Sequence, residues 1–240
     1  MEDEIKKKLF NDELFTHKTD FDYDYFIKHL EVLSNDLPKL RHFEFLVCMW
    51  ELTKIFNQLG KSLSMAFSDI TEKVNIWRSL YKNNYPNHSD LQSVIEEEIK
   101  LGIQELNGEN NKKKGHKKGV SIYHDYVSGA RTLLRLIWFL DFMVNILKLL
   151  LNTNDGFSTC CKNAYDKALG IYHPWYVRSA ATLALSFASS SRKPVLKILF
   201  GSENWDDDAI KKIDLMQKYL EKVFTTVNKL YEEKNLHGLP

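Results

Sequence analysis

Five residues carry charge or a titratable ring in positions that invite chemistry. Arg131 and Arg135 stand four apart in a segment that is otherwise strongly apolar (Leu133, Leu134, Leu136, Ile137, Trp138, Phe139, Leu140), so they share a helix face at the edge of a core. Like charges at that spacing repel, which calls for a compensating anion. A guanidinium presents a planar fork matched to phosphate oxygens and stays charged when partly desolvated; internal carboxylates such as Asp69 or Asp125 would also serve on spacing alone. Asp69 and Lys73 repeat the four-residue spacing with opposite signs in acid-first order, the pattern of an ordinary surface ion pair. His173 sits in Ile171-Tyr172-His173-Pro174-Trp175-Tyr176-Val177-Arg178, where the proline biases it away from helix and sets it at a helix entrance. There its ring offers one hydrogen bond from a fixed position, or caps the helix or fills the core. Trp175 is an amphipathic aromatic, suited either to a core or to a lipid headgroup interface.

Other chemistries lack their residues. Gly60-Lys61-Ser62 resembles the end of a phosphate-binding loop, but the first glycine of that motif falls on Ile55. There is no GxGxxG after a strand, no HExxH, no GxSxG and no spaced Cys/His set, so no catalytic residue, cofactor or metal site is expected. Asp206, Asp207 and Asp208 stand where the last helix should begin and suit its first turn better than a metal. Cys48 lies in an apolar segment and Cys160 and Cys161 are adjacent, which reads as small buried side chains in a reducing, cytoplasmic compartment. Thirty-three basic residues against thirty-two acidic ones give no global field for nucleic acid.

The elements that must position these residues are helical. Phe26, Leu30 and Leu33, then Phe45, Leu46, Trp50, Ile55 and Phe56, recur at the three-and-four spacing of a core-facing stripe, and no comparable run alternates at period two. Five prolines and ten glycines are few breakers for 240 residues. An all-α chain is expected, with helices near 22–35, 38–59, 64–83, 88–106, 120–151, 155–171, 174–188, 192–200 and 206–234. The run Thr132 to Leu151 is long enough to suggest a membrane span, but Arg135, Asp141, Asn145 and Lys148 interrupt it, so it reads as a buried helix. Residues 1–21 read as a partly ordered extension whose start lacks the apolar core of a secretory signal, and 22–240 as one domain. Asn107 to Gly119 (NGENNKKKGHKKG) has nothing apolar to bury and reads as an inserted basic loop. Its lysines would either be simply solvated or add about 1 kcal/mol each of attraction to an anionic membrane.

Taken together, Asp69-x-x-x-Lys73, Arg131-Thr132-Leu133-Leu134-Arg135-Leu136, and Ala164-Tyr165 running into Tyr172-His173-Pro174-Trp175-Tyr176-Val177-Arg178 resemble the glycolipid transfer protein superfamily, and within it the ceramide-1-phosphate branch. The resemblance runs from about Tyr23 to Pro240 and omits the basic insertion. It implies a two-layer helical sandwich with a cleft for hydrocarbon chains between the layers and a headgroup centre at the surface. Asp69 would accept hydrogen bonds from the sphingosine amide and hydroxyl, and His173 would donate to the acyl-amide carbonyl. Lys73, Arg131 and Arg135 would hold a phosphate, and Trp175 would meet the membrane. Sugar-binding members carry asparagine where Lys73 stands, lysine where Ile76 stands and a tryptophan platform where Arg135 stands, which favours a phosphate head over a glycan. Leu63 and Phe67 are candidates for the pocket wall. The implied function is a monomeric, peripherally membrane-associated carrier that moves a phosphate-headed sphingolipid between membranes without catalysis. The alternative is a lipid sensor or scaffold that uses the same pocket.

Overall fold

Every regular helix or strand among residues 17–84, 87–108 and 125–240, which the computed structural model describes, is helical. The helices are α1 (Tyr23–Asn35), α2 (His42–Gln58), α3 (Lys61–Ala66), α4 (Ser68–Asn84), α5 (Leu91–Leu101), α6 (Gly129–Asn152), α7 (Phe157–Ala168), α8 (Trp175–Ser186), α9 (Lys193–Phe200) and α10 (Asp207–Glu233), with a 3-10 turn at Gly170–Tyr172. Residues 1–16 of the expected extension, 109–119 of the expected insertion and 120–124 of the helix expected at 120–151 lie outside the described residues.

Four of the expected helices are corrected. The one at 120–151 begins only at Gly129: residues 125–128 are not helical, and the Ser128 hydroxyl caps the helix by accepting from the Arg131 N–H at 3.0 Å. The one at 64–83 is two, α3 and α4, because Phe67 leaves the helix to stack on Phe56 at 4.0 Å, and the Ser68 hydroxyl donates to the Met65 carbonyl. The one at 88–106 stops at Leu101, where Gly102 turns left-handed (φ 68°) and the Ile103 N–H closes back on the Glu98 carbonyl. The one at 155–171 ends as α helix at Ala168 and finishes in the 3-10 turn. Asp206 caps α10 by accepting from the Ala209 N–H at 2.9 Å, with Asp207 and Asp208 in the first turn. Among the described residues no helix is long and apolar enough to cross a membrane.

Packing neighbours run from α4 to α6 to α10 to α1 to α2 and back to α4, so two layers of helices close over one core. Phe26, Phe45, Trp77, Phe139, Phe142 and Tyr231 are fully buried there, each such side chain stabilising by about 1.5–3 kcal/mol relative to exposure. α7 packs on α6 and in turn carries α8, while α3 bridges α2, α4 and α8.

The amino end of α6 is fixed by a buried acid. The Glu98 carboxylate accepts from the Tyr126 hydroxyl (2.6 Å), the Ser128 hydroxyl (2.7 Å), the Gly129 N–H (2.5 Å) and the Ala130 N–H (2.8 Å). Two N–H groups that the helix itself leaves unpaired are thereby satisfied, and negative charge meets the positive end of the helix dipole. A Cβ on Gly129 would lie 2.8 Å from Leu80 Cδ1 and 3.2 Å from both Glu98 Oε1 and Trp77 Cζ2, so a larger residue would have to displace these side chains. Tyr231 Oη donates to the Ala130 carbonyl at 2.5 Å and ties α10 to the same turn. Arg131 and Arg135 follow directly, so their register is set by this anchor.

Candidate functional site

A cavity of about 550 Å³ opens between α3, α4, α6, α7 and α8, within the range of ligand pockets. Its wall is mainly apolar, with Met65, Phe67, Ile70, Trp138, Val177 and Phe187 among the contributors. Asp69, Arg135, Tyr165 and His173 bring polar atoms to it, and Ser62 completes the polar set. Phe67 joins the cavity to the core, because it stacks on both Phe56 and Phe142. Leu63, the other expected wall residue, is instead buried in the core and does not line the cavity: at α3 it faces inward while Met65 faces out.

The five polar positions are divided. Asp69, Arg135 and His173 line the cavity. Lys73 is only 15% exposed and its ammonium is ion-paired with the Asp69 carboxylate, whose side chain is 64% exposed. Arg131 does not line the cavity; its Nη1 donates to Asn107 Oδ1 at 2.9 Å. Arg135 Nη1 donates to the Leu239 carbonyl at 3.3 Å and to the Arg131 carbonyl at 3.4 Å, and its guanidinium carbon lies 4.8 Å from the centre of the Trp138 ring. Among the described residues neither arginine forms an ion pair. The repulsion expected between them therefore stands without an internal carboxylate in contact, although the Asp69 charge reaches both.

Burial dominates the electrostatics. It lowers the pKa of Arg131 and of Arg135, where Arg131 adds repulsion and Asp69 opposes both effects. A guanidinium keeps its proton regardless. Burial also lowers the pKa of His173 against the attraction of Asp69, so the ring is neutral at pH 7. Its Nδ1 is 2.8 Å from the hydroxyl of Tyr165. Its hydrogen-bond partner is thus a phenol, and among the described residues no serine or cysteine is paired with it as a nucleophile.

Trp175 is 79% exposed at the first residue of α8 and does not line the cavity. Met65, Leu183 and Phe187, which do line the cavity, are likewise more than half exposed. Trp138 is a site residue that the charges did not single out. It is sandwiched by a ring as well as a cation, since Tyr172 stacks on it at 3.9 Å and 4°. Its place three residues after Arg135 was the available signal, because i and i+3 share a helix face.

Among the described residues the fold is helical, and its apolar cavity carries an acid, a guanidinium and a neutral histidine on its wall, a combination complementary to an amphiphile. Residues 40–201 match the family model described as glycolipid transfer protein. The chain belongs to that family. It is 28% identical over 192 residues to the ceramide-1-phosphate transfer protein of Mus musculus, covering 79% of this chain and 82% of the relative. Its fold is similar to that of the mouse ceramide-1-phosphate transfer protein in its apo form (TM-score 0.76, 24% identity, 92% of this chain and 100% of the other). It is similar also to the human ceramide-1-phosphate transfer protein in complex with 12:0 ceramide-1-phosphate (TM-score 0.75, 23% identity, 92% and 100%).

Proposed function

We propose that this protein binds a sphingolipid with a phosphate headgroup, ceramide-1-phosphate or a close analogue, and carries it between membranes as a monomer without a chemical step. The observation that carries this reading is an apolar cavity whose wall holds Arg135, a guanidinium free of ion pairs among the described residues, beside Asp69 and His173. In this reading Arg135, Arg131 and Lys73 bind the phosphate, Asp69 accepts from the amide N–H and hydroxyl, and the neutral His173 donates to the amide carbonyl. Lys73 would pair with phosphate as well as with Asp69, which leaves Asp69 oxygen lone pairs for the lipid.

Headgroup contacts set the preference. Burying a chain recovers about 0.8 kcal/mol per CH₂ relative to water, but a lipid leaving a bilayer already had that burial. A hydrogen bond to a charged group adds about 1.5–3 kcal/mol, so two or three such contacts select a phosphate by orders of magnitude. Trp175 at α8, with Met65, Leu183 and Phe187 around the cavity, is the surface suited to rest on a bilayer from the cytoplasmic side. The three free cysteines fit a reducing compartment.

The test is transfer of labelled ceramide-1-phosphate from donor to acceptor vesicles. Catalytic amounts of pure protein should accelerate it strongly over spontaneous exchange, and no acceleration would end the proposal.

A further inference from the structure

The hydrogen bond between Tyr165 and His173 does more than fill space. Tyr165 is in α7 and His173 follows the 3-10 turn, and the two are brought together by a close approach of the chain. A Cβ on Gly170 would lie 3.3 Å from the Tyr165 carbonyl and 3.4 Å from its ring, so glycine lets the turn close over the tyrosine. The Leu169 N–H donates to the Tyr165 carbonyl at 2.9 Å and the His173 N–H to the Gly170 carbonyl at 3.3 Å, which fixes the backbone on either side.

A neutral imidazole has one N–H and one lone pair, and a phenol can donate or accept. Two arrangements satisfy the 2.8 Å contact. If Nδ1–H donated, the part-buried phenol proton would have no acceptor among the described residues, and the lone pair on Nε2 would face a cavity that also holds the Asp69 carboxylate. If the phenol donates, its proton is satisfied and Nε2–H is left as a spare donor on a residue that lines the same cavity as the Asp69 carboxylate. We infer that Tyr165 is a positioning residue: it holds the His173 ring in the Nε2–H tautomer and in one orientation, so that the site presents a hydrogen-bond donor there and selects a ligand with a carbonyl at that point. An N-acylated phosphosphingolipid has that carbonyl. Its deacylated form lacks that carbonyl, leaves the Nε2–H donor without an acceptor and is disfavoured. This selectivity rests on the transfer reading above, whereas the tautomer does not.

The test uses Tyr165→Phe, which keeps the ring and removes the donor. In lipid-free wild-type protein labelled with ¹⁵N-histidine, the His173 signal, assigned by its loss in His173→Gln, should be that of Nε2–H. Its titration midpoint should move up in Tyr165→Phe, because a donor aimed at Nδ1 opposes protonation there. A wild-type Nδ1–H signal, or a downward or absent shift, overturns the assignment. With a short-chain ceramide-1-phosphate, Tyr165→Phe should weaken binding about tenfold, the factor that goes with one neutral hydrogen bond, and narrow the preference over sphingosine-1-phosphate. In the His173→Gln background, where no tautomer exists, the same substitution should be silent. Equal loss in both backgrounds makes Tyr165 merely structural and overturns the inference. Wild-type protein that binds neither lipid overturns the transfer reading instead, and the tautomer is then decided by the lipid-free spectra.

Discussion

Two regions of the molecule, the start of α6 and the exposed apolar side chains of α3 and α8, are built on opposite terms. At the amino end of α6, Glu98, Tyr126, Ser128, Gly129, Ala130 and Tyr231 form a buried network around the turn that sets Arg131 and Arg135. Along α3 and α8, Met65, Leu183, Phe187 and Trp175 stand more than half exposed, and apolar contact area there is left uncovered. A headgroup site gains from donors fixed beforehand, since ordering them on binding would cost entropy. A rim that rests on a bilayer gains from apolar surface that finds its cover only there. Breaking the first region should therefore damage the fold, and breaking the second should damage only what the fold does.

The largest effect should come from Glu98→Ala, which strands several buried donors at about 1–3 kcal/mol each. A loss of about 3 kcal/mol or more in unfolding free energy is expected, read as a lower urea midpoint at unchanged slope. Next in size is a pH effect in the same half of the molecule. Burial holds His42 at a pKa of about 4, with its Nδ1 and Nε2 each 3.2 Å from a backbone carbonyl, those of His88 and Trp77. The unfolded chain takes up this proton at a higher pH than the folded one, so the stabilisation is complete above about pH 6.5 and is lost as pH falls to about 4. Urea unfolding at pH 7 and at pH 4.5 should differ from this group by up to about 3 kcal/mol, and a flat profile would contradict its burial as a neutral ring.

Substitution at the proposed headgroup centre should cost function and spare the fold. Arg135→Leu removes a half-buried guanidinium without an ion pair among the described residues, so helicity should persist while ceramide-1-phosphate binding weakens about ten- to hundredfold. Asp69→Val should stop transfer in the same way. Circular dichroism beside a transfer assay separates the two outcomes. The smallest effect on stability belongs to Trp175→Ala, within about 0.5 kcal/mol because the ring is 79% exposed. Its partition onto phospholipid vesicles should nevertheless fall several-fold, as measured by sedimentation.

Most of the helices were legible because an amphipathic stripe repeats locally: the Phe26, Leu30, Leu33 face of α1 and the Asp206 cap of α10 need no distant partner to be recognised. The break at Phe67 was not, because it depends on Phe56 and Phe142 in other helices. The same limit applies at the centre. Spacing put Arg131 and Arg135 on one face, but only the folded chain sends Arg131 to Asn107 and Arg135 to the cavity. Glu98 was hidden in Glu96-Glu97-Glu98, a run that reads as a solvated face although its third member is buried. Tyr165 was visible as part of a motif, but its hydrogen bond to His173 depends on how closely the turn at Gly170 packs.

Selection of a phosphate head by the guanidinium-bearing wall is tested most directly by native mass spectrometry of the protein after incubation with vesicles holding equal amounts of ceramide-1-phosphate and a neutral glycosylceramide. Retention of the phosphate lipid in one-to-one complex is expected, with that preference gone in Arg135→Leu. Retention of the glycosylceramide, or of neither lipid, would contradict the headgroup assignment.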